Sequence, residues 1–148
     1  MPTIAPSTEA CNAIRDRINS GETYSLEVRA AVVDEVTDDL QDLRQLRVDV
    51  IQETEEQLIE TIDLQDNTSH VIRVWIRKKL DTTTQDEIDA LKLLKRQIAL
   101  RLLNYATTDW RVRVWEVDNS QSPVIERDTL HQDRSFIASV VCRAEVKP

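Results

Sequence analysis

Two stretches of the chain carry an alternating pattern, with one side apolar and the other mixed. In "VIRVWIRKKL", residues 71–80, Ile72, Val74 and Ile76 fall on one side and Arg73, Trp75 and Arg77 on the other. In "FIASVVCRAEV", residues 136–146, the apolar side is Phe136, Ala138, Val140, Cys142 and Ala144. A period of two is the signature of a strand with one buried face. Shorter alternations predict strands at residues 24–36 (Leu26, Val28, Ala30, Val32), at 46–50 (Leu46, Val48, Val50) and at 110–117 (Val112, Val114). A weaker one covers residues 57–64. "QDNTS", residues 65–69, has the composition of a hairpin turn, so the strands on either side form an extended hairpin. Residues 120–123 break the strand that starts at Trp110.

Helical spacing occurs twice. Ser7 or Thr8 is placed to cap a helix carrying Ala10, Ala13, Ile14 and Ile18 on one face, and Gly21 stops it. Residues 84–104 give the longer helix. Thr84 caps it, Asp86 and Glu87 complement its dipole, and Ile88, Leu91, Leu94, Ile98 and Leu102 form its stripe. Asp89 and Ala90 make its outer face small and polar. Residues 1–6, with two prolines, form an arm. Runs of strands with one helix between them predict an α+β fold: one domain, an antiparallel or mixed sheet, and two main helices on one face.

Composition narrows the function. The chain has 148 residues, 41% hydrophobic and 31% charged. A chain of this length buries roughly 70% of its unfolded surface, enough for a core. It holds one glycine, Gly21, which excludes phosphate loops and dinucleotide fingerprints that need several. The net charge of −8 argues against a double-helix binder, which must replace phosphate counterions with Lys and Arg. No apolar run is long enough for a membrane helix. "MPTIAPSTEA" lacks the charged and apolar regions of a signal peptide, so Cys11 and Cys142 read as free core thiols.

Charge is unevenly distributed. Residues 34–66 carry twelve acids against two bases, and residues 70–113 carry ten bases against five acids. Two readings stand: solvated faces, or complementary patches that join neighbouring subunits head to tail. Acids left over, Asp38, Asp39, Asp42, Glu55 and Glu56, would line a channel and repel DNA phosphates.

No catalytic or cofactor-binding constellation is present. Asp49, Glu53 and Glu55 with Lys78 invite comparison with a metal-dependent nuclease, but Asp49 alternates with Val48 and Val50 and reads as a strand's polar side. His70 and His131 lack partners of a metal or triad signature and read as surface or loop positions. Trp75, Trp110 and Trp115 are able to stack nucleobases. Trp and Arg also dominate interface hot spots. The interface candidates are therefore Arg73, Trp75 and Arg77 on one strand and Arg111, Arg113 and Trp115 on another.

The ordered series resembles a known family. An N-terminal helix leads to "YSLEVRAAVV". Leu40, Leu43 and Leu46 lead into "LRVDVIQ". "VIRVWIRKKL", a helix near "TTQDEIDAL", a strand opened by Trp110 and the closing "FIASVVCRAEV" follow. This is similar to the tail terminator proteins of bacteriophages with long non-contractile tails, and to related neck and minor tail proteins. The residues 57–69 and the acidic connection depart from that pattern. The resemblance implies a non-enzymatic virion protein with no cofactor, made in the host cytoplasm. Its subunits would form a homohexameric ring at the head-proximal end of the tail, end tube polymerisation, and meet the tail tube protein and the head–tail connector or head-completion protein. DNA would pass the lumen unbound, and no membrane is involved. A neighbouring neck protein and a stand-alone single-stranded nucleic-acid-binding module remain the alternatives.

Overall fold

The computed structural model describes residues 5–20, 24–33, 45–58, 67–80, 85–127 and 134–147. Among these residues two helices, α1 (Pro6–Asn19) and α2 (Gln85–Leu102), accompany six strands: β1 (Ala30–Val32), β2 (Arg47–Leu58), β3 (Asn67–Leu80), β4 (Val112–Asp118), β5 (Val124–Arg127) and β6 (Arg134–Val146). The sheet order is β1-β2-β3-β6-β4, with β5 also on β6. β1 runs parallel to β2 and every other pair is antiparallel. The expected α+β class with a mixed sheet is what the chain adopts.

The apolar alternation explains the layering. Ile72, Val74 and Ile76 of β3 face the same side as Ala138, Val140, Cys142 and Ala144 of β6, and all are buried. Val48 and Val50 extend that surface on β2, and Val112 and Val114 on β4. Against it pack Ala10, Cys11, Ile14 and Ile18 of α1 and Ile88, Leu91, Leu94, Ile98 and Leu102 of α2. The helix stripes are those of the 3.6-residue period.

α1 begins differently from expectation. Pro6 occupies its first turn, Ala5 is the cap residue, and no side chain caps the end. Proline there loses no hydrogen bond, since its missing N–H has no intrahelical partner anyway. At the other end, Asn19 Nδ2 donates to the Ala30 carbonyl (3.1 Å), and its Oδ1 accepts from the Ala30 N–H (2.8 Å). A side-chain amide thus supplies a backbone-like pair to edge strand β1. The helix C-termini are tied to each other. Arg17 Nε donates to the Arg101 carbonyl (3.1 Å), and Arg101 Nη2 donates to the Ser20 carbonyl (2.6 Å), placing cations where the dipoles favour them.

Several boundaries differ from the sequence reading. Of the expected strand at 24–36, residues 24–33 are described, and within them only Ala30–Val32 is strand. Ser25 instead donates its N–H to Gln97 Oε1 (2.8 Å) and its hydroxyl to the Ala90 carbonyl (2.8 Å), so the segment before β1 is bound to α2. The long hairpin is real, but residues 67–69 already belong to β3 and not to a turn. His70 is therefore a fully buried strand residue rather than a surface one, with Gln52 Nε2 3.4 Å from its Nδ1. Residues 59–66, Thr84 and His131 lie outside the described residues. Trp110 precedes β4 in a turn with φ 59°. β5 was not expected. It follows β4 along the same side of β6, and residues 119–123 interrupt what is otherwise one edge strand.

Both cysteines are free and buried. Burial pushes the Cys11 thiol up to about 11 and the Cys142 thiol up to about 12. A thiol with a raised pKa has little reactive thiolate at pH 8. A disulfide-exchange reagent at that pH should leave both unlabelled in native protein and label both in denaturant; rapid native labelling would contradict this burial. Leu94→Ala should cost about 2–5 kcal/mol in urea unfolding, because the site sits at the centre of α2's packed stripe.

Candidate functional site: the outer sheet face and its edge

The face of the sheet turned away from the helices carries the polar half of each alternating strand. In register, Trp75 lies between Asp49 of β2 and Ser139 of β6, and Arg73 between Ile51 and Val141. Charges here are paired across strands. Arg77 Nη2 is 2.9 Å from Asp49 Oδ2, and Arg47 Nη2 is 3.4 Å from Asp49 Oδ1. Arg73 grips Glu53 through Nε (2.5 Å) and Nη2 (3.3 Å), and its Nη1 donates to Gln121 Oε1 (2.8 Å) and Ser139 Oγ (3.0 Å). The guanidinium also stands over the Trp75 ring, 5.2 Å from its centroid.

The edge continues this pattern with more exposure. Arg113 and Glu145 are register partners and an ion pair at 3.2 Å. A bulge between Val114 and Glu116 leaves Trp115 unpaired in the ladder, so Trp115 and Glu116 both point outward while Val117 returns to the core. Bulges at edges commonly re-aim a side chain in this way. Arg143 bridges the two outward residues, 5.9 Å over the Trp115 ring and 3.6 Å from Glu116.

No protein-family model and no curated protein matches the chain. A solved structure titled "Virion of native gene transfer agent (GTA) particle" contains a chain that superposes with a TM-score of 0.54. The two are 14% identical, and the match covers 96% of this chain and 98% of that one. The two chains share a fold. Near-complete coverage of both means that the likeness spans helices and sheet together, not one hairpin.

The six interface candidates do not form one patch. Arg73 and Trp75 sit centrally, partly buried. Arg77 is 2% exposed and committed to Asp49, so it offers no exposed group to a neighbour. Reversing its charge would place two carboxylates together inside the subunit. Arg113 and Trp115 share the exposed edge. Arg111 turns toward the helix layer instead, where its Nε is 2.7 Å from Glu9 Oε1 of α1. Asp38, Asp39 and Asp42 lie outside the described residues. Glu55 and Glu56 pair with His70 and Ser69 through the β2 backbone, and their side chains lie outside the description. Of the nuclease-like set, Asp49 and Glu53 are each bound by arginine, and Lys78 is on the helix side, 2.5 Å from Glu87. Among the described residues no three metal-binding side chains group together, and no helix is long and apolar enough to cross a membrane.

Three features escaped the sequence reading. Lys95 of α2 is buried, and its ammonium donates to the Asn119 carbonyl (3.1 Å) and side chain. Desolvation holds its pKa below the ordinary lysine value, partly offset by nearby Asp118. Asn119 thus ties to the helix layer while Gln121, two residues on, ties to the outer face, so the interruption of the edge strand is clamped from both sides. Second, Trp110 is 60% exposed in a left-handed backbone conformation, which is uncommon for a bulky residue. Third, α2's outer face is not small and polar: Leu93, Leu100 and Leu103 are exposed there.

Two variants separate the buried pair from the exposed edge. Asp49→Ala should cost about 3–5 kcal/mol by leaving Arg77 uncompensated. Arg113→Ala should change stability by about 0–1 kcal/mol, as for other surface pairs. Equal losses in chemical denaturation would contradict this placement.

Proposed function

We propose that the chain is a structural protein of a phage-like virion, and more specifically a tail-terminator-type ring subunit at the tail–head junction. The near end-to-end fold match to a chain of a gene transfer agent virion supports the virion reading. The ordered motifs of the sequence support the narrower role. In this reading copies join head to tail into a homohexamer, because a heterologous contact closes when its rotation is right. One side of the ring ends the tail tube and the other meets the connector or head-completion protein. Acids not used between subunits keep DNA moving through the lumen by repelling its phosphates.

The exposed edge supports the assembly part of this reading. Trp115 is 42% exposed, with Arg143 over its ring and Arg113 nearby in the same strand. A partner that covered it would gain a large aromatic surface and two arginines whose local acids, Glu116 and Glu145, already fix their orientation. Trp75 and Arg73 act as the braced platform behind this edge.

Negative-stain imaging of the purified chain, alone and with tail tubes, tests the proposal. Closed rings with a central hole, or caps on tube ends, are the expected result. A chain that forms neither contradicts the ring role. Trp115→Ala should abolish rings while keeping the thermal midpoint of the subunit; full rings from that variant would move the interface elsewhere. Tight, salt-dependent binding of a single-stranded oligonucleotide without assembly would favour the nucleic-acid-binding alternative.

A further inference from the structure

The outward side of α2 carries a regular mixed stripe. Leu93, Leu100 and Leu103 are 49%, 59% and 50% exposed. With Arg96 between them they fall at i, i+3, i+7 and i+10, which is one side of a helix. Leu103 follows the last helical residue but still donates its N–H to the Ala99 carbonyl at 3.1 Å, so the stripe runs unbroken to the end. Lys92 borders it. Among the described residues neither Lys92 nor Arg96 has an ion-pair partner, whereas nearly all the arginines of the outer sheet face do. Single exposed leucines need no explanation. Three in helical register, around unpartnered cations, present a docking seam for something both apolar and acidic.

The chain itself contains a segment of that chemistry. Residues 34–43, "DEVTDDLQDL", hold five acids and no base, with Val36, Leu40 and Leu43 spaced i, i+4 and i+7. We infer that α2 of one subunit docks the acidic 34–43 segment of a second copy, with leucine against leucine and Lys92 and Arg96 against the aspartates. This rests on the ring reading above and deepens it.

A second copy fits better than the same chain. The segment leaves β1 at Val33, whose N–H donates to the Val50 carbonyl (3.0 Å), and returns to β2. Both ends are thus fixed at the β1–β2 side of the sheet, which α1 covers. α2 lies over the other side, packed on β6 and β4. Crossing from β2 to β4 spans about 14 Å at the usual strand spacing, and α2's outer side stands one full helix layer above. An eleven-residue connection that goes out and back reaches only about 18 Å. Among the described residues nothing covers the three leucines. A head-to-tail contact between copies supplies the segment without that constraint. It uses Asp38, Asp39 and Asp42 in the joint between subunits and leaves Glu55 and Glu56 as the channel acids.

Sedimentation velocity of the full chain over a concentration series tests this. Wild type should self-associate, and Leu100→Asp and Arg96→Glu should each weaken association by about tenfold or more, the scale of an interface hot spot. Both positions are exposed, so the variants should keep the wild-type circular dichroism and thermal midpoint. Arg96→Glu combined with Asp39→Arg should recover most of the association. Variants that associate as wild type does would overturn the proposal, while rings in the microscope would keep the ring role and place its contact elsewhere. Loss with Leu100→Asp but no response to either charge change would also overturn it, because the occupant would not be the acidic segment. A wild type that stays monomeric throughout overturns the second-copy contact, and capping of tail tubes then decides the ring role separately.

Discussion

β3 and β6 pair antiparallel without a register break from Thr68↔Val146 to Leu80↔Arg134, and the positions of the other elements follow from that ladder. It brings two alternating strands into phase, so their apolar residues make one continuous surface. A one-residue slip would turn one strand's apolar set to the side opposite the other's. β2 extends the surface on one side and β4 with β5 on the other, while α1 and α2 cover it. The ladder also sets the outer face in phase, which is why Arg73, Trp75 and Arg77 meet Ser139, Asp49 and Glu53 as partners rather than as scattered charges.

That outer face is built to be rigid. A buried Asp49–Arg77 pair contributes little net stability relative to a hydrophobic replacement, yet it holds β2 against β3 at one geometry. Arg73 does similar work with four acceptor atoms on three residues. Outward from this braced centre, exposure rises along β4 to Arg113 and Trp115. On the opposite side of the molecule α2 shows a second exposed set. A ring subunit needs two different surfaces that complement each other, because the same patch cannot face itself around a cyclic ring. In the proposed ring these are the leucine–cation side of α2 and the acidic 34–43 segment, with the arginine–tryptophan sheet edge as a further exposed surface.

The parts legible in the sequence were those with long, single-period patterns. β3, β6 and α2 each run thirteen residues or more, so their apolar positions repeat often enough to reveal the face. Shorter elements depend on their neighbours. β1 is three residues held by Asn19 and β2, and the alternation before it reports partial burial of Leu26 and Val28 against the core, not pairing. β5, "VIER", has no pattern of its own and exists because β6 offers an edge. His70 reads as a surface residue because a polar side chain is taken as exposed until its partner, here Gln52 of β2, is known, and nothing local to Lys95 signals its burial, since its partner Asn119 lies beyond β4. The resemblance to tail terminators drew on order alone. The fold shared with a virion chain covers 96% of this one, while the burial of Arg77 against Asp49 is invisible to face assignment alone.

In the proposed assembly the molecule has a rigid β3–β6 centre and contact surfaces at β4 and α2. Hydrogen exchange of the free chain and of its assembled form measures that division directly. Amides of β3 and β6 should exchange slowest in the free chain and change little on assembly, with new protection confined to β4, the turn before it, the second half of α2 and residues 34–43. New protection in β3 and β6, or none at β4 and α2, would contradict the division and the assembly role built on it.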